Sequence, residues 1–280
     1  MSTIRAHQIL EDIILNRIVS EERISETTTW QQMRAHYAGL IFAAQKFYIG
    51  NVRDVPVVNH VMPELVRLPS PLMYADLEIA PPEGEDEKAI QYGVILIEKP
   101  PHPSQVEGNA FFRELYDRLL LISYTFLRQQ GDSSWTFAPW TNAVVREENG
   151  PGIDIVTEAD SFKVKDLVKV AAPFIVDYHG AIVSFLHLIN CPNVTVEKIP
   201  APVKLNKKRE EKNRPPIQEY SIVKLPNYSA GQPHQGGTHA SPRAHFRRGH
   251  IRRLAENKVT WVTHTMVKGE GFVPKLYVRG

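Results

Sequence analysis

Between Pro242 and Leu254 the chain reads PRAHFRRGHIRRL, setting His245 and His250 among Arg243, Arg247, Arg248, Arg252 and Arg253. Forked guanidinium donors match phosphate oxygens in pairs. An imidazole that titrates near neutrality can take the proton of a 2′-hydroxyl. A second group can then return one to the leaving oxygen while Arg or Lys holds the charged phosphorane. Only RNA carries that internal nucleophile. The residue types therefore fit RNA binding or metal-independent RNA cleavage. In the catalytic version His245 and His250 share the acid and base roles, Arg247, Arg248 and Arg252 hold phosphate, and Lys275 or Tyr277 assists. Trp261, His264 and Lys268 lie on neighbouring segments, and Phe246, Trp261 and Tyr277 offer flat faces for unpaired bases. Each residue also has a plainer reading, the histidines as hydrogen-bonded sheet residues and the aromatics as core. A zinc site built from the three histidines would find no cysteine and only Glu256 nearby, so neither metal nor cofactor is expected.

Such residues need a sheet to present them. With strand alternation, His245, Arg247, Gly249, Ile251 and Arg253 share one face, and Phe246, Arg248, His250 and Arg252 the other. A bulge at Gly249 would bring His245 and His250 together. The pattern predicts strands over 244–254, 258–267 and 273–278, with turns at 255–257 and 268–271.

The rest of the chain supplies the frame. Apolar spacing predicts a helix over 3–20 and a second over 30–48, closed by Gly50. Strands are expected at 72–79 and 89–98, joined by the acidic turn 83–87, and at 118–130 and 135–146 about the turn Gly131-Asp132-Ser133-Ser134. Residues 119–126 also fit a helix. Further strands are read at 152–157, 193–199 and 217–225, with a long helix over 161–190 that is irregular at Pro173 and Gly180. Within it Asp177 and His179 suggest a buried polar pair, and Asp76 with Glu78 a pair of carboxylates. The apolar run 168–190 holds Asp177 near its middle, which favours a buried helix over a membrane span. The fold class is α+β: N-terminal helices, antiparallel hairpins, one long helix and a basic C-terminal antiparallel β-sheet. Three regions are expected: an acidic α+β domain over 1–200, a basic Pro/Gly-rich connecting segment over 201–242 with one strand, and a basic His/Arg-rich β module over 243–280.

Charge supports that division. Residues 1–200 carry 17 Lys/Arg against 26 Asp/Glu, a balance of −9, and residues 201–280 carry 16 against 5, a balance of +11. The halves either neutralise one another by packing or leave a basic surface for a polyanion. Lys207-Lys208-Arg209 reads as a solvated stretch or a nucleic-acid arm. Cys191 is the single cysteine, which excludes a disulfide framework and fits a reducing compartment. The N-terminus lacks the apolar core of a signal peptide. No phosphate loop, dinucleotide fingerprint or nucleophile elbow is found.

The order Leu205-Asn206-Lys207-Lys208-Arg209, Arg214-Pro215-Pro216, Tyr220, Val223-Lys224-Leu225, then His245-Phe246-Arg247-Arg248-Gly249-His250-Ile251-Arg252, Trp261-Val262 and Lys275-Leu276-Tyr277-Val278 resembles the C-terminal third of a group of uncharacterised proteins carried by bacteriophages and prophages. The resemblance implies a phage or mobile-element context and nothing about mechanism. The residue types also resemble those of barnase-like RNase toxins, though no motif aligns. The expectation is a nucleic-acid-binding protein in the cytoplasm of a bacterial host cell, with RNA ahead of DNA and no membrane partner. The alternative is a non-catalytic interaction protein that docks on a host protein or DNA.

Overall fold

Residues 72–79 alternate cleanly between two buried surfaces, which marks a strand covered on both sides. Met73, Ala75 and Leu77 enter one core, and Tyr74 enters a second. The computed structural model describes residues 4–20, 27–58, 61–81, 88–102, 110–159, 162–225, 245–247, 249–255, 258–262 and 265–267. In chain order these form α1 (Ala6–Ile14), β1 (Val19–Ser20), α2 (Thr27–Ala43), β2 (Gln45–Asn51), β3 (Leu72–Ile79), β4 (Ile90–Glu98), α3 (Ala110–Glu114), β5 (Leu119–Gln129), β6 (Thr136–Arg146) and β7 (Ile153–Ala159). There follow α4 (Phe162–Ile189), β8 (Thr195–Ile199), α5 (Val203–Glu210), β9 (Tyr220–Lys224), β10 (His245–Arg247), β11 (His250–Ala255), β12 (Lys258–Val262) and β13 (Thr265–Val267).

The fold is α+β, built on a mixed nine-stranded sheet ordered β1-β6-β5-β4-β3-β2-β9-β8, with β7 also pairing β6. The hairpins β3–β4 and β5–β6 form as the turn signals predict, and 119–126 is strand, not helix. Helix α4 covers one face, where Tyr178, Ile182, Val183 and Leu186 pack on Met73, Leu77, Val94 and Val144. Helices α1 and α2 cover the other, where Ile9 and Ile41 meet Tyr74, Ile95 and Phe126. Each such fully buried side chain contributes about 1.5–3 kcal/mol. Gly93 in β4 is required by this contact, since a Cβ there would lie 2.4 Å from Ile9 Cδ1. Residues Ala172–Ile189 of α4 are apolar and long enough to cross a bilayer, but 61% of that stretch is buried in the fold.

Several expectations are corrected. The second helix ends at Ala43 and does not run to Tyr48. Lys46 Nζ donates to Phe42 O at 3.3 Å and Ala44 O at 2.7 Å, closing the helix end, and burial holds that amine down to about 8. Residues 45–51, rich in aromatic and β-branched side chains, then enter the sheet. The basic stretch 201–214 contains α5, pinned by Asn206, whose amide exchanges hydrogen bonds with the Ile217 backbone at 2.7 and 2.8 Å. The pairing of Asp177 with His179 does not form: Asp177 is exposed while His179 is buried, because neighbours two apart on a helix face different ways. The acidic turn 83–87, the strand at 273–278 and most of the loop before the basic strands lie outside the described residues.

Candidate functional site

The described basic C-terminal strands form two antiparallel pairs, of which β11–β12 is a hairpin. β10 pairs antiparallel with β13, placing His245 opposite Val267, and β11 pairs with β12, placing His250 opposite Val262. Residue 248 and residues 263–264, which join the two pairs, lie outside the described residues, and with them the bulge expected at Gly249. Gly249 itself packs closely, since a Cβ there would lie 2.5 Å from the Trp261 ring.

Strand alternation decides which of the predicted residues face inward. Ile251 pairs with Trp261 and Arg253 with Val259. Val259 and Trp261 are buried with Leu65, Leu188 and Cys191, and Ile251 packs against the cluster. Asn193, just beyond α4, clamps the hairpin. Its Nδ2 donates to Trp261 O at 2.7 Å, and its Oδ1 accepts from Trp261 N–H at 2.9 Å. Arg253 reaches Glu64 at 3.5 Å, a half-exposed pair of small energetic weight. On the opposite face Arg252 and Lys258 are exposed, with His250 partly buried beside them. His245 and Arg247 are placed by their backbone in β10. Arg243, Arg248, His264, Lys268, Lys275 and Tyr277 lie outside the described residues. Trp261 turns its ring into the protein.

Oppositely charged halves meet elsewhere as well. Arg209 on α5 reaches Glu11 of α1 at 3.0 Å, and Arg214 reaches the same carboxylate at 3.6 Å. Lys204, Lys207 and Lys208 on the same helix are exposed.

Two buried constellations have the composition of active sites without the access. Ser123 Oγ lies 2.8 Å from His179 Nε2, a nucleophile-to-base distance. The other ring nitrogen, however, donates to Ile175 O at 2.9 Å, both side chains are buried in the core, and burial holds the imidazole down at about 4. Asp76 and Glu78 do not form an acid–base pair, because both face Arg5. Its Nε donates to Asp76 at 2.7 Å, Nη1 to Glu78 at 2.9 Å and Nη2 to Leu77 O at 3.0 Å. Among the described residues no three His, Cys, Asp or Glu side chains come together to hold a metal ion.

A cleft of about 790 Å³, which residue chemistry alone did not single out, opens beside α4. One wall is valine-rich, from Val52, Val55, Val57, Val58 and Val61, and the others are Ile79 of β3, Ile153 and Ile155 of β7 and Val176, Gly180 and Val183 of α4. His187 ties the valine-rich wall to the helix. Its Nδ1–H donates to Val183 O at 2.7 Å and its Nε2 accepts from Met62 N–H at 2.8 Å, which fixes a neutral ring. The run Val55-Pro56-Val57-Val58 was the available signal, but only the fold shows that it faces a helix.

No curated protein and no solved structure matches the chain. A model of the AcrVA2-like family, described as the anti-CRISPR type V subtype A2 family, matches residues 53–269, from the cleft wall through the basic hairpin. The phage context implied by the C-terminal residues agrees with that match. The chain belongs to the AcrVA2-like, anti-CRISPR type V subtype A2 family.

Proposed function

We propose that this protein is a phage anti-CRISPR factor that acts by docking, without catalysis, on a protein component of the host's type V CRISPR defence, inside the host cell. Membership of the family over residues 53–269 carries the reading. The site geometry supports it. Trp261 anchors the hairpin rather than offering a face to bases, and the buried Ser123–His179 pair has no route to a substrate. The chain presents instead a partly apolar surface beside a basic hairpin, which is the composition of a protein-docking region.

A second reading keeps the basic surfaces for nucleic acid, favoured by the outward Arg252 and by Lys204, Lys207 and Lys208 on α5. Size-exclusion chromatography with light scattering separates the two. The purified protein is mixed with nuclease-treated type V effector at low and high salt. Docking predicts a complex of fixed stoichiometry that survives both conditions. No complex with nucleic-acid-free effector, together with RNA binding that weakens steeply with salt, would overturn docking in favour of the second reading.

A further inference from the structure

The cleft beside α4 is lined by aliphatic side chains, and two of them stand in solvent: Val57 is 75% exposed and Val176 56% exposed. A concave site that leaves such apolar side chains wet marks a surface for a partner.

Gly180 is a separate observation at the same place. It lies inside α4, where glycine is unfavourable because it gives up more backbone entropy than alanine. Internal packing does not require it, since a Cβ at Gly180 would meet nothing within 4 Å. The glycine borders the cleft, with Ala181 and Ser184 on the same wall. This strip of helix is smooth enough for another backbone to approach closely, the way small residues admit a crossing helix.

The charges at the cleft narrow the choice of partner. Arg53 and Asp177 contribute one positive and one negative group to its lining, so the site has no net charge to attract phosphate or an anionic membrane. What fits is a neutral aliphatic stripe on a rigid backbone.

We infer that this cleft receives a helix of the host type V effector protein, with aliphatic residues at i, i+3 or i+4 and i+7 set between the valine wall and α4, and its backbone crossing at Gly180. The inference rests on the docking reading and names the surface that carries it. The partner's side chains fill the space beside Val57 and Val176, while Gly180, Ala181 and Ser184 set the distance of closest approach.

The test uses the full chain with three changes: Val57→Asp, Val176→Asp and Gly180→Ala. The probe is nucleic-acid-free type V effector, with affinity read by calorimetry and folding by thermal melts. Both aspartate variants should fold and bind the effector at least about tenfold more weakly. Gly180→Ala is the discriminating variant. It should melt higher, because alanine favours the helix, and yet bind more weakly, because its methyl group occupies the crossing point. A purely structural role would move the two readouts together. Unchanged effector binding by all three variants would overturn the inference while leaving docking in place. If the wild-type chain fails to bind the effector, docking and the inference fall together. If the wild-type chain self-associates, and the variants become monomeric while still binding the effector, the cleft covers a second copy and the inference is wrong.

Discussion

Replacing Trp261 with Ala should release the basic hairpin from the body of the protein without unfolding the sheet. The indole is 6% exposed, lies against Leu65, Leu188, Cys191 and Val259, and covers Gly249. Among the described residues its Nε1 has no hydrogen-bond partner, so the change loses apolar contact and leaves a cavity with no polar compensation. Truncations of this kind cost about 3–5 kcal/mol. What remains to hold the hairpin is the Asn193 clamp, whose two hydrogen bonds contribute about 1 kcal/mol each, the buried Val259 side chain with Ile251 beside it, Val259 contributing about 1.5–3 kcal/mol, and the weak Arg253–Glu64 pair. The loss is about as large as what remains, so the hairpin should detach before the main sheet opens. Hydrogen exchange followed by mass spectrometry reads this directly. Amides of 250–262 should lose protection while those of β3, β4 and β5 keep theirs. Unchanged protection over 250–262 would refute the anchoring role. A folded hairpin that loses RNA affinity would instead make Trp261 a stacking face.

Three further outcomes follow from the same geometry. Gly249→Ala should destabilise the hairpin by about 1–3 kcal/mol, because its Cβ would sit 2.5 Å from the Trp261 ring. Combining it with Trp261→Ala should cost less than the two changes summed, and strict additivity in denaturation would contradict the contact. Asp76→Asn should cost about 3–5 kcal/mol by leaving the Arg5 guanidinium buried beside a neutral partner, whereas Glu78→Gln, at a side chain 31% exposed, should cost far less; equal thermal shifts would count against a buried pair. His7 and His179 are both held down to about 4 from 6.5, mainly by burial, so the folded state binds fewer protons than the unfolded chain between those values. Stability should be complete above pH 6.5, fall as the pH drops toward 4 by about 3 kcal/mol per histidine, and level off below. Denaturant titrations of wild type and His179→Gln across that range check it, the variant giving the shallower slope; equal slopes would refute the assignment.

The frame was legible where local pattern and burial agree. The strand pattern at 72–79, the turn Gly131-Asp132-Ser133-Ser134 and the apolar length of 161–190 each mark an element that forms close to its expected bounds. The end of α2 was not, because the turn into β2 depends on Lys46 closing the helix and on Phe47 finding a place between β3 and β9. That Ile251 and Arg252 take opposite faces of β11 was legible from alternation, but which face turns inward was not. The role of Trp261 was not, since the pockets that receive it belong to Leu65 and Leu188, far away in the chain. The cleft was hidden for the same reason: its walls come from four separate segments, and an open face at Gly180 has no local signature.

The central claim, docking on protein without cleaving RNA, is tested most directly on one native gel. The protein is incubated in EDTA with total bacterial RNA and, separately, with nucleic-acid-free type V effector, beside a His245→Ala, His250→Ala variant. The account predicts that the effector shifts with both forms and that the RNA stays intact. An unshifted effector, with RNA cleaved by the wild-type protein and spared by the variant, would contradict it and place a metal-independent ribonuclease on the C-terminal hairpin.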